Sequence, residues 1–481
     1  MKKITLLIIC CIFLPFTAFC ISPLWAWQNN FNANINDIVS HNNYLYTCAG
    51  FSSGSFIYGN ANFVNQGLND VVVMKWDTSG NLIWARHIAG SGAESVEAIS
   101  VNGAGEIVVA GTTNSSTVNI EGNLFTNNGS YDIFIAKYDQ NGNYINAYLI
   151  GTAANEFCSD MCTDLQNNIY ILGSGGITKY TANAVFVWQR QVNAFQIFYS
   201  AMDNTVVAIG NFIGTLTVGN FSIVANYSFN WGVQPDVFAL KLSSGNSALW
   251  LHNVSDDTHN DFNVEACLNE QTGKLYVAYS YIGLAAEYMM IREITSLGVI
   301  SNQVITFADQ ISGARCNSMS TKDSLLSFHV TQYGYTDYIY NLNNFQPIIS
   351  YEMNGAQQNN FFQCITGRRA LYINNAPNTS FGKIAGSMLT TSPSYQVFHV
   401  CVGFNQVTLN GNAIGGEGPL TYNWLPVTGL NNTNTNTVSF TPTNNITYTL
   451  TVTDSIGQIA KDTFEINIDT PIINFSITPQ F

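Results

Sequence analysis

One pattern returns along this chain and limits its fold more than any other property. Residues 70–86 read DVVVMKWDTSGNLIWAR: an Asp, four apolar residues, a Lys, a polar turn containing Gly80, then a run that closes on Trp84 and Arg86. The pattern comes back at 132–143 (DIFIAKYDQNGN) and at 236–246 (DVFALKLSSGN), the latter followed by Leu249-Trp250. A worn copy stands at 288–298 (YMMIREITSLG). A unit that recurs this way belongs to an array in which each unit buries its apolar face against its neighbours.

A second unit precedes each copy. Residues 96–111 (VEAISVNGAGEIVVAG) read as a strand, a Gly-containing turn and a strand ending in Gly. Versions recur at 35–50, 158–173, 197–210 and 264–278, with faint ones at 316–328 and 361–374. That makes seven strand-turn-strand units. Each leads to a third strand, marked in the first four by Lys75, Lys137, Lys179 and Lys241, and then to a fourth that often carries Trp (Trp84, Trp188, Trp250). Four short strands per repeat of about 40 to 65 residues mean propeller blades, whose radial packing hides the sheet edges. The seventh unit has strands at 361–365, 370–374 and 395–400 and lacks a fourth. The segment 24–31 (LWAWQNNF) resembles a fourth strand and is expected to complete that blade, because an open ring would leave an exposed edge. The expected fold is all-β: a seven-bladed β-propeller over 21–400, closed by its N-terminal strand.

Three repeats carry long insertions between their second and third strands, at 51–69, 112–131 and 211–235. Each holds a Gly-Asn turn between β-rich runs (Gly59-Asn60, Gly122-Asn123, Gly219-Asn220), a hairpin signal. These hairpins are expected to project together from one rim. From 401 the texture changes to period-two alternation in TYTLTVT and TFEINI, separated by Asn-, Thr- and Pro-rich turns. A small β-sandwich over 401–471 follows, with Trp424 as its core plug. Residues 472–481 are a tail or the start of a further module.

The first 20 residues read as an export signal: Lys2 and Lys3, an apolar run over 4–16, and small residues Ala18 and Cys20 at the cleavage site. The apolar run is short for a membrane span, and no later run is long enough. Two of the 16 basic residues lie in this segment. The remainder holds 14 basic against 30 acidic residues, a net charge of −16. Nucleic acid is thereby excluded as a partner, since neutralising phosphate needs clustered Lys and Arg. Only 10% of residues are charged, so Asn, Ser, Thr and Gln must supply the polar surface. Seven Cys follow the signal. Their number is odd and their spacing is no scaffold, so they read as small buried hydrophobes.

The repeats resemble the bacterial seven-bladed propeller repeats abbreviated SBBP, on DIFIAKYDQNGN, DVVVMKWDTSGNLIW and VEAISVNGAGEIVVAGTT. The resemblance covers nearly all of 21–400. It implies an exported cell-surface protein without common catalytic residues, and it places the Val96-type strand nearest the axis and the Trp84-type strand outermost. The segment 401–470 resembles the Ig-like or PKD-like modules of Bacteroidota surface proteins, on CVGFNQVTLNG, LTYNWLPVTGL and TYTLTVTDSIGQ. In such modules a Cys before the first strand pairs with one after a late Gly. Here Cys401 faces Gln458 at that place, which leaves the disulfide without its second half.

No HExxH motif or His-x-His pair occurs among the six His, and no catalytic constellation is legible. The densest polar cluster is Asp256, Asp257, His259 and Asp261. It could hold a cation, but it lacks the Gly-turned spacing of a calcium loop and reads instead as a solvated connection. Cys158 and Cys162, four apart in one strand, are expected to face the same side. The repeated Asp70, Asp132 and Asp236 read as structural, bonding a turn backbone. The Lys of the same strand is expected to snorkel or to pair with a carboxylate. Aromatic loops are the candidate binding residues: Phe229, Trp231, Tyr333 and Tyr335, whose rings could stack on sugars or grip a protein loop.

The expectation for function is an exported, monomeric, non-catalytic scaffold, secreted or on the outer cell surface. It would bind an extracellular glycan or protein without cofactor or metal. The alternatives are a glycan lyase or hydrolase with acids converging at the propeller mouth, and a structural spacer in a surface assembly.

Overall fold

The computed structural model describes residues 25–469, apart from 43, 53, 78, 226, 229–231, 234, 256–260, 283–286, 310–314, 323–324, 333, 343–345, 354–360, 367–368, 375–378, 385–389, 392–394, 402–405, 412, 415–418, 442 and 455–458. From 346 to 397 it describes strand paths and not side chains. The export-signal reading and the tail 472–481 fall outside these residues.

Every regular element among the described residues is a β-strand. Sheets of four strands follow one another in chain order: Asn34–His41 opens the first, Glu94–Val101 the second and Cys158–Thr163 the third. Ala194–Ser200, Asp261–Leu268, Arg315–Lys322 and Phe361–Thr366 open the next four. These opening strands touch in succession, and Phe361–Thr366 returns to Asn34–His41, so they enclose an axis. The chain is a β-propeller. Its last sheet is completed by Trp25–Phe31, antiparallel to Thr379–Ile384, with Trp25 opposite Ile384 and Phe31 opposite Thr379. The N-terminal strand therefore closes the ring.

One strand moves relative to expectation. The third strand of the last sheet is Thr379–Ile384, whereas Tyr395–Cys401 runs parallel to Ile459–Asp469 in a different sheet. TSFGKI lacks the Asp, the apolar run and the spacing of the other third strands, so it does not look like one. The C-terminal unit accordingly takes in strand 395–401. Its core gathers Val400, Leu409, Val438, Tyr448, Leu450, Phe464 and Ile466 around Trp424, which is fully buried with its ring 4.8 Å from that of Phe464.

The propeller core is a series of seams. One cluster joins the first and second sheets through Tyr46, Val73, Ile99 and Phe134. Others join second to third, third to fourth, fourth to fifth and fifth to sixth. The third strand of a sheet is covered on both faces. That is why DVVVMKW and DIFIAKY are continuous apolar runs, not alternating ones.

The charged residues of the repeat lock these seams. Lys75 Nζ donates to the Gln140 carbonyl in the last turn of the second sheet (2.8 Å), and Trp84 Nε1 reaches the same oxygen (3.2 Å). Lys179 and Trp188 converge on Ser244 O (3.0 and 3.1 Å), Lys241 and Trp250 on Ser296 O (2.8 and 3.4 Å), and Lys137 bonds Ala182 O. Each Lys thus reaches a carbonyl of the following sheet, and two also meet a carboxylate: Lys179 that of Asp164, and Lys241 that of Asp203, which is its nearest partner. Two of the three repeated Asp bond the loop before their strand: Asp70 Oδ2 accepts Gln66 N–H and Asp132 Oδ2 accepts Asn128 N–H, both at 2.9 Å, whereas Asp236 Oδ2 accepts from Asn253 Nδ2 on the fourth strand (2.6 Å).

The Gly at or near the end of the second strand has a steric cause. A Cβ on Gly111, Gly173 or Gly210 would lie 2.1 Å from the carbonyl oxygen of Ser95, Phe157 or Asn193 respectively. In each case the first strand bulges beside that carbonyl and brings it close.

The insertions form hairpins at Ser55–Tyr58/Ala61–Val64, Thr117–Ile120/Asn123–Thr126 and Thr215–Val218/Phe221–Val224. They leave from one rim, as second-to-third connections must, but fold back along the outer strands. Thr117–Ile120 pairs with Leu82–Gly90 and extends the first sheet to six strands. Phe56, Val118, Ile120 and Val218 are buried. Their apolar faces find more cover against the outer strands than they would in solvent.

Cys48, Cys158, Cys162, Cys267 and Cys316 are buried thiols. Cys158 and Cys162 do not share a side. Cys158 packs into the seam with the second sheet and Cys162 into the seam with the fourth. A bulge between Cys158 and Asp160 shifts the alternation by one residue.

Candidate functional site

The chemistry-bearing side chains that the fold brings together stand on the strands nearest the axis. Each of five opening strands has a register shift, and a polar residue sits at or beside it: Asp37, Glu97, Asp160, Gln196 and Glu265. All five are half-buried.

They bond across the seams. Asp37 Oδ1 accepts the Ile38 N–H (2.7 Å), and its Oδ2 accepts the Ile99 N–H of the second sheet (2.8 Å). Asp160 repeats this with Met161 (2.8 Å) and Ile197 of the fourth sheet (2.7 Å). Gln196 Oε1 accepts the Ala266 N–H of the fifth sheet (2.9 Å), while its Nε2 donates to Glu265 Oε2 (3.0 Å). Glu97 accepts a bond from the Ser95 hydroxyl. Each side chain satisfies a backbone donor or side chain that the bulge or the neighbouring strand leaves open.

Their electrostatics are unusual for carboxyls. Burial is the dominant cause and pushes Asp37 and Asp160 up to about 7 and Glu265 to about 8, against the lowering effect of their hydrogen bonds. The charge of Asp37 adds to the rise at Asp160, and that of Asp160 to the rise at Glu265. Glu97 is raised as well, again chiefly by burial. Asp37, Asp160 and Glu265 can therefore exchange protons near neutrality. Among the described residues no group of three or more His, Cys, Asp or Glu is placed to hold a metal ion.

Of the residues singled out from sequence, Phe229, Trp231, Tyr333, Asp256, Asp257 and His259 lie outside the described residues. Tyr335 stands in Gly334–Asn341 opposite Thr331 and Met353. Asp261 opens the strand Asp261–Leu268 opposite Tyr281. For these two only the strand position is described. The axial residues were missed by sequence reasoning, although a signal existed: Glu97 and Glu265 hold the same place in the two VEA triplets, where a buried strand would be apolar.

No family model matches the chain. It is similar to an uncharacterized WD repeat-containing protein of Acanthamoeba polyphaga mimivirus, 24% identical over 170 residues, which is 32% of this chain and 12% of that protein. The chain thus spans about an eighth of that relative's length. Among solved structures it is similar to the β-propeller domain of Myceliophteria thermophila Cps50 (Swd1), with TM-score 0.44 and 9% identity, over 74% of this chain and 99% of that one. Among the described residues no helix is long and apolar enough to cross a membrane.

Proposed function

We propose that the protein is an exported scaffold, secreted or held at the outer surface of a bacterium of Bacteroidota type, whose propeller binds an extracellular glycan or protein and performs no chemistry on it. A β-propeller suits a binding or scaffolding role, since it offers a rigid ring and variable loops. The observation that carries the non-catalytic reading is the state of the axial acids. Both oxygens of Asp37 and both of Asp160 already accept backbone N–H groups, and the described bond of Glu265 goes to Gln196. They act as struts between sheets. The basic, apolar start of the chain supports export, and the resemblance of 401–470 to Ig-like or PKD-like modules supports display at a surface. The test is a joint array of glycans and extracellular proteins probed with the chain lacking its first 20 residues, with Trp231→Ala as a control for the aromatic loop. Absence of binding to every member defeats the reading.

A second reading has one observation in its favour. Acids from different sheets do converge on the axis, and a carboxyl titrating near 7 or 8 is suited to general acid work. Glycan cleavage abolished by Asp160→Asn would establish that enzyme.

A further inference from the structure

We propose that Asp70 and Glu94 share one proton, and that its loss loosens the roots of the first two inserted hairpins: a pH-operated catch between the first and second sheets. The catch serves loops of the scaffold, yet it is read from stability and amide exchange and so holds or fails independently of any ligand.

Backbone pairing brings the two acids together. Asn69 and Ala93 form a parallel bridge, and the Glu94 N–H donates to the Asn69 carbonyl at 2.8 Å. Asp70 and Glu94 follow in step on the two strands. Both are fully buried. One oxygen of each carboxyl is already engaged. Asp70 Oδ2 accepts the Gln66 N–H (2.9 Å) and meets His87 Nε2 (2.8 Å). Glu94 Oε1 accepts the hydroxyls of Thr113 (2.7 Å) and Ser115 (2.5 Å). The other two oxygens, Asp70 Oδ1 and Glu94 Oε2, are shut off from solvent and have no protein partner. One proton held between them satisfies both and removes one of two like charges from a dry site. Burial is the main cause that holds the Glu94 carboxyl above its usual range, against bonds from Ser115, Thr113 and the Gly90 backbone. The charge of Asp70 adds to the rise, so the two carboxyls act on each other.

The charges on the surrounding elements do not replace that proton. His87 meets Asp70 on its other oxygen, and Glu121 of the second hairpin accepts the His87 backbone N–H at 3.4 Å. Lys75 and Arg86 bond the Gln140 and Gly142 carbonyls. Asp77 bonds its own turn, and Glu97 accepts from Ser95. Strands 44–51 and 107–113, the connection 90–93 and the hairpin 55–64 carry no charged residue.

Both hairpins are anchored at this pair. Gln66 follows the hairpin 55–64, and the His87 ring stacks on Phe63 of that hairpin at 4.9 Å. Thr113 and Ser115 lead into the hairpin 117–126, whose Val118 pairs with Gly90. A Cβ on Gly90 would lie 2.8 Å from Glu94 Oε1, so the carboxyl and the hairpin strand border the same residue. Once the proton leaves, the two carboxylates repel and draw on the bonds that each one makes. The folded state favours the neutral Glu94, so this contribution to stability is complete at low pH and is lost as pH rises through the titration of the pair.

The test compares the chain from residue 21 with its Glu94→Gln variant, which imitates the shared-proton state. The Gln amide N–H donates to Asp70 Oδ1 while its carbonyl keeps the Thr113 and Ser115 bonds. The two proteins should melt within about 1 °C of each other at about pH 5, and the variant should melt at least about 2 °C higher at about pH 9. Taking the difference cancels the titration of the axial carboxyls. Deuterium exchange, corrected for its intrinsic pH dependence, should show the amides of 55–64 and 117–126 opening at least about five-fold more often in the parent than in the variant at about pH 9, and equally at about pH 5. Glu156→Gln is the control. Tyr131 and Asn155 form the same parallel bridge at the next seam, but Glu156 is half-buried and turns both oxygens to Thr152. It should bring no pH-dependent gain. A Glu94→Gln gain of equal size at both pH values overturns the proposal, because Glu94 would then be ionised throughout. A pH profile unchanged by Glu94→Gln also overturns it and assigns the titration to His87. Asp70→Asn carries the same expectations should Glu94→Gln fail to fold. Equal protection of both hairpins at the two pH values in the parent overturns the proposal without any variant.

Discussion

Lys179 Nζ and the Ser244 carbonyl oxygen meet at 3.0 Å across the seam between the third and fourth sheets, and Trp188 Nε1 shares that oxygen at 3.1 Å. The acceptor belongs to a turn 65 residues further on. A buried bond from a charged donor is worth about 1.5–3 kcal/mol. Lys179→Met is therefore expected to lower unfolding free energy by about 1–3 kcal/mol, read from urea titration. Trp188→Phe should cost about 1 kcal/mol from its lost N–H bond. Because both donors serve one carbonyl, the double variant should depart from the sum by at least about 0.5 kcal/mol. Strict additivity would mean that the latch does not act as a unit.

The axial carboxyls make stability depend on pH in a definite direction. Asp37 and Asp160 titrate near 7 and Glu265 near 8 in the folded protein, against about 4 when unfolded. Between those values the folded state holds more protons than the unfolded state, so stability falls as pH rises. These groups contribute fully below about pH 4 and lose that contribution as pH climbs to 7 or 8. A melting temperature higher at about pH 5.5 than at about pH 8.5 is expected, with a flatter profile in Glu265→Gln, which can still accept the Gln196 bond. A profile that rises across this range would contradict the assignment.

Gly111→Ala should be costly although the position is an ordinary strand residue. The new methyl would meet the Ser95 carbonyl at 2.1 Å and the Phe134 ring at 2.5 Å. Overpacking against backbone of this kind costs about 1–3 kcal/mol. The fifth sheet supplies a control. There Ala278 stands opposite Glu265 and the register shift is wider, between Phe262 and Glu265. Ala278→Gly should cost no more than about 1 kcal/mol in the same chemical denaturation assay.

Removing residues up to 31 should open the ring. The edge of Thr379–Ile384 would lose its partner, and Trp76 would lose the stacked Phe31 ring at 5.8 Å. Light scattering after size-exclusion chromatography is expected to show self-association, relieved by a synthetic peptide of residues 24–33. A truncated chain that stays monomeric and melts unchanged would show that the strand is dispensable.

Much of this architecture was legible because identical physics recurs. Lys, Trp and Gly each solve one seam problem, and the solution repeats with the sheet. Thr379–Ile384 was not legible, because its TSFGKI lacks that signature and its neighbours alone make it a strand. Tyr395–Cys401 reads correctly as a strand, but alternation says nothing about which sheet claims it. The axial acids were hidden for a related reason. Asp37 and Ile99 are 62 residues apart, and their bond exists only once the sheets close around the axis. Cys158 and Cys162 misled through a one-residue bulge that simple counting cannot see.

Trp25–Phe31 and Thr379–Ile384 stand far apart in the chain and side by side in one sheet, and this gives the molecule a history as well as a shape. A ribosome delivers the first strand early and its partner only after the other sheets have been made. During that interval the strand must wait, and it can meet the partner strand of another copy first. Closing so large a loop is slow, so completion of the circle is expected to be the late step of folding. Crowded synthesis would then favour exchanged dimers over single rings. A permuted gene that places 25–31 directly after 384 would remove the wait by making the final sheet local.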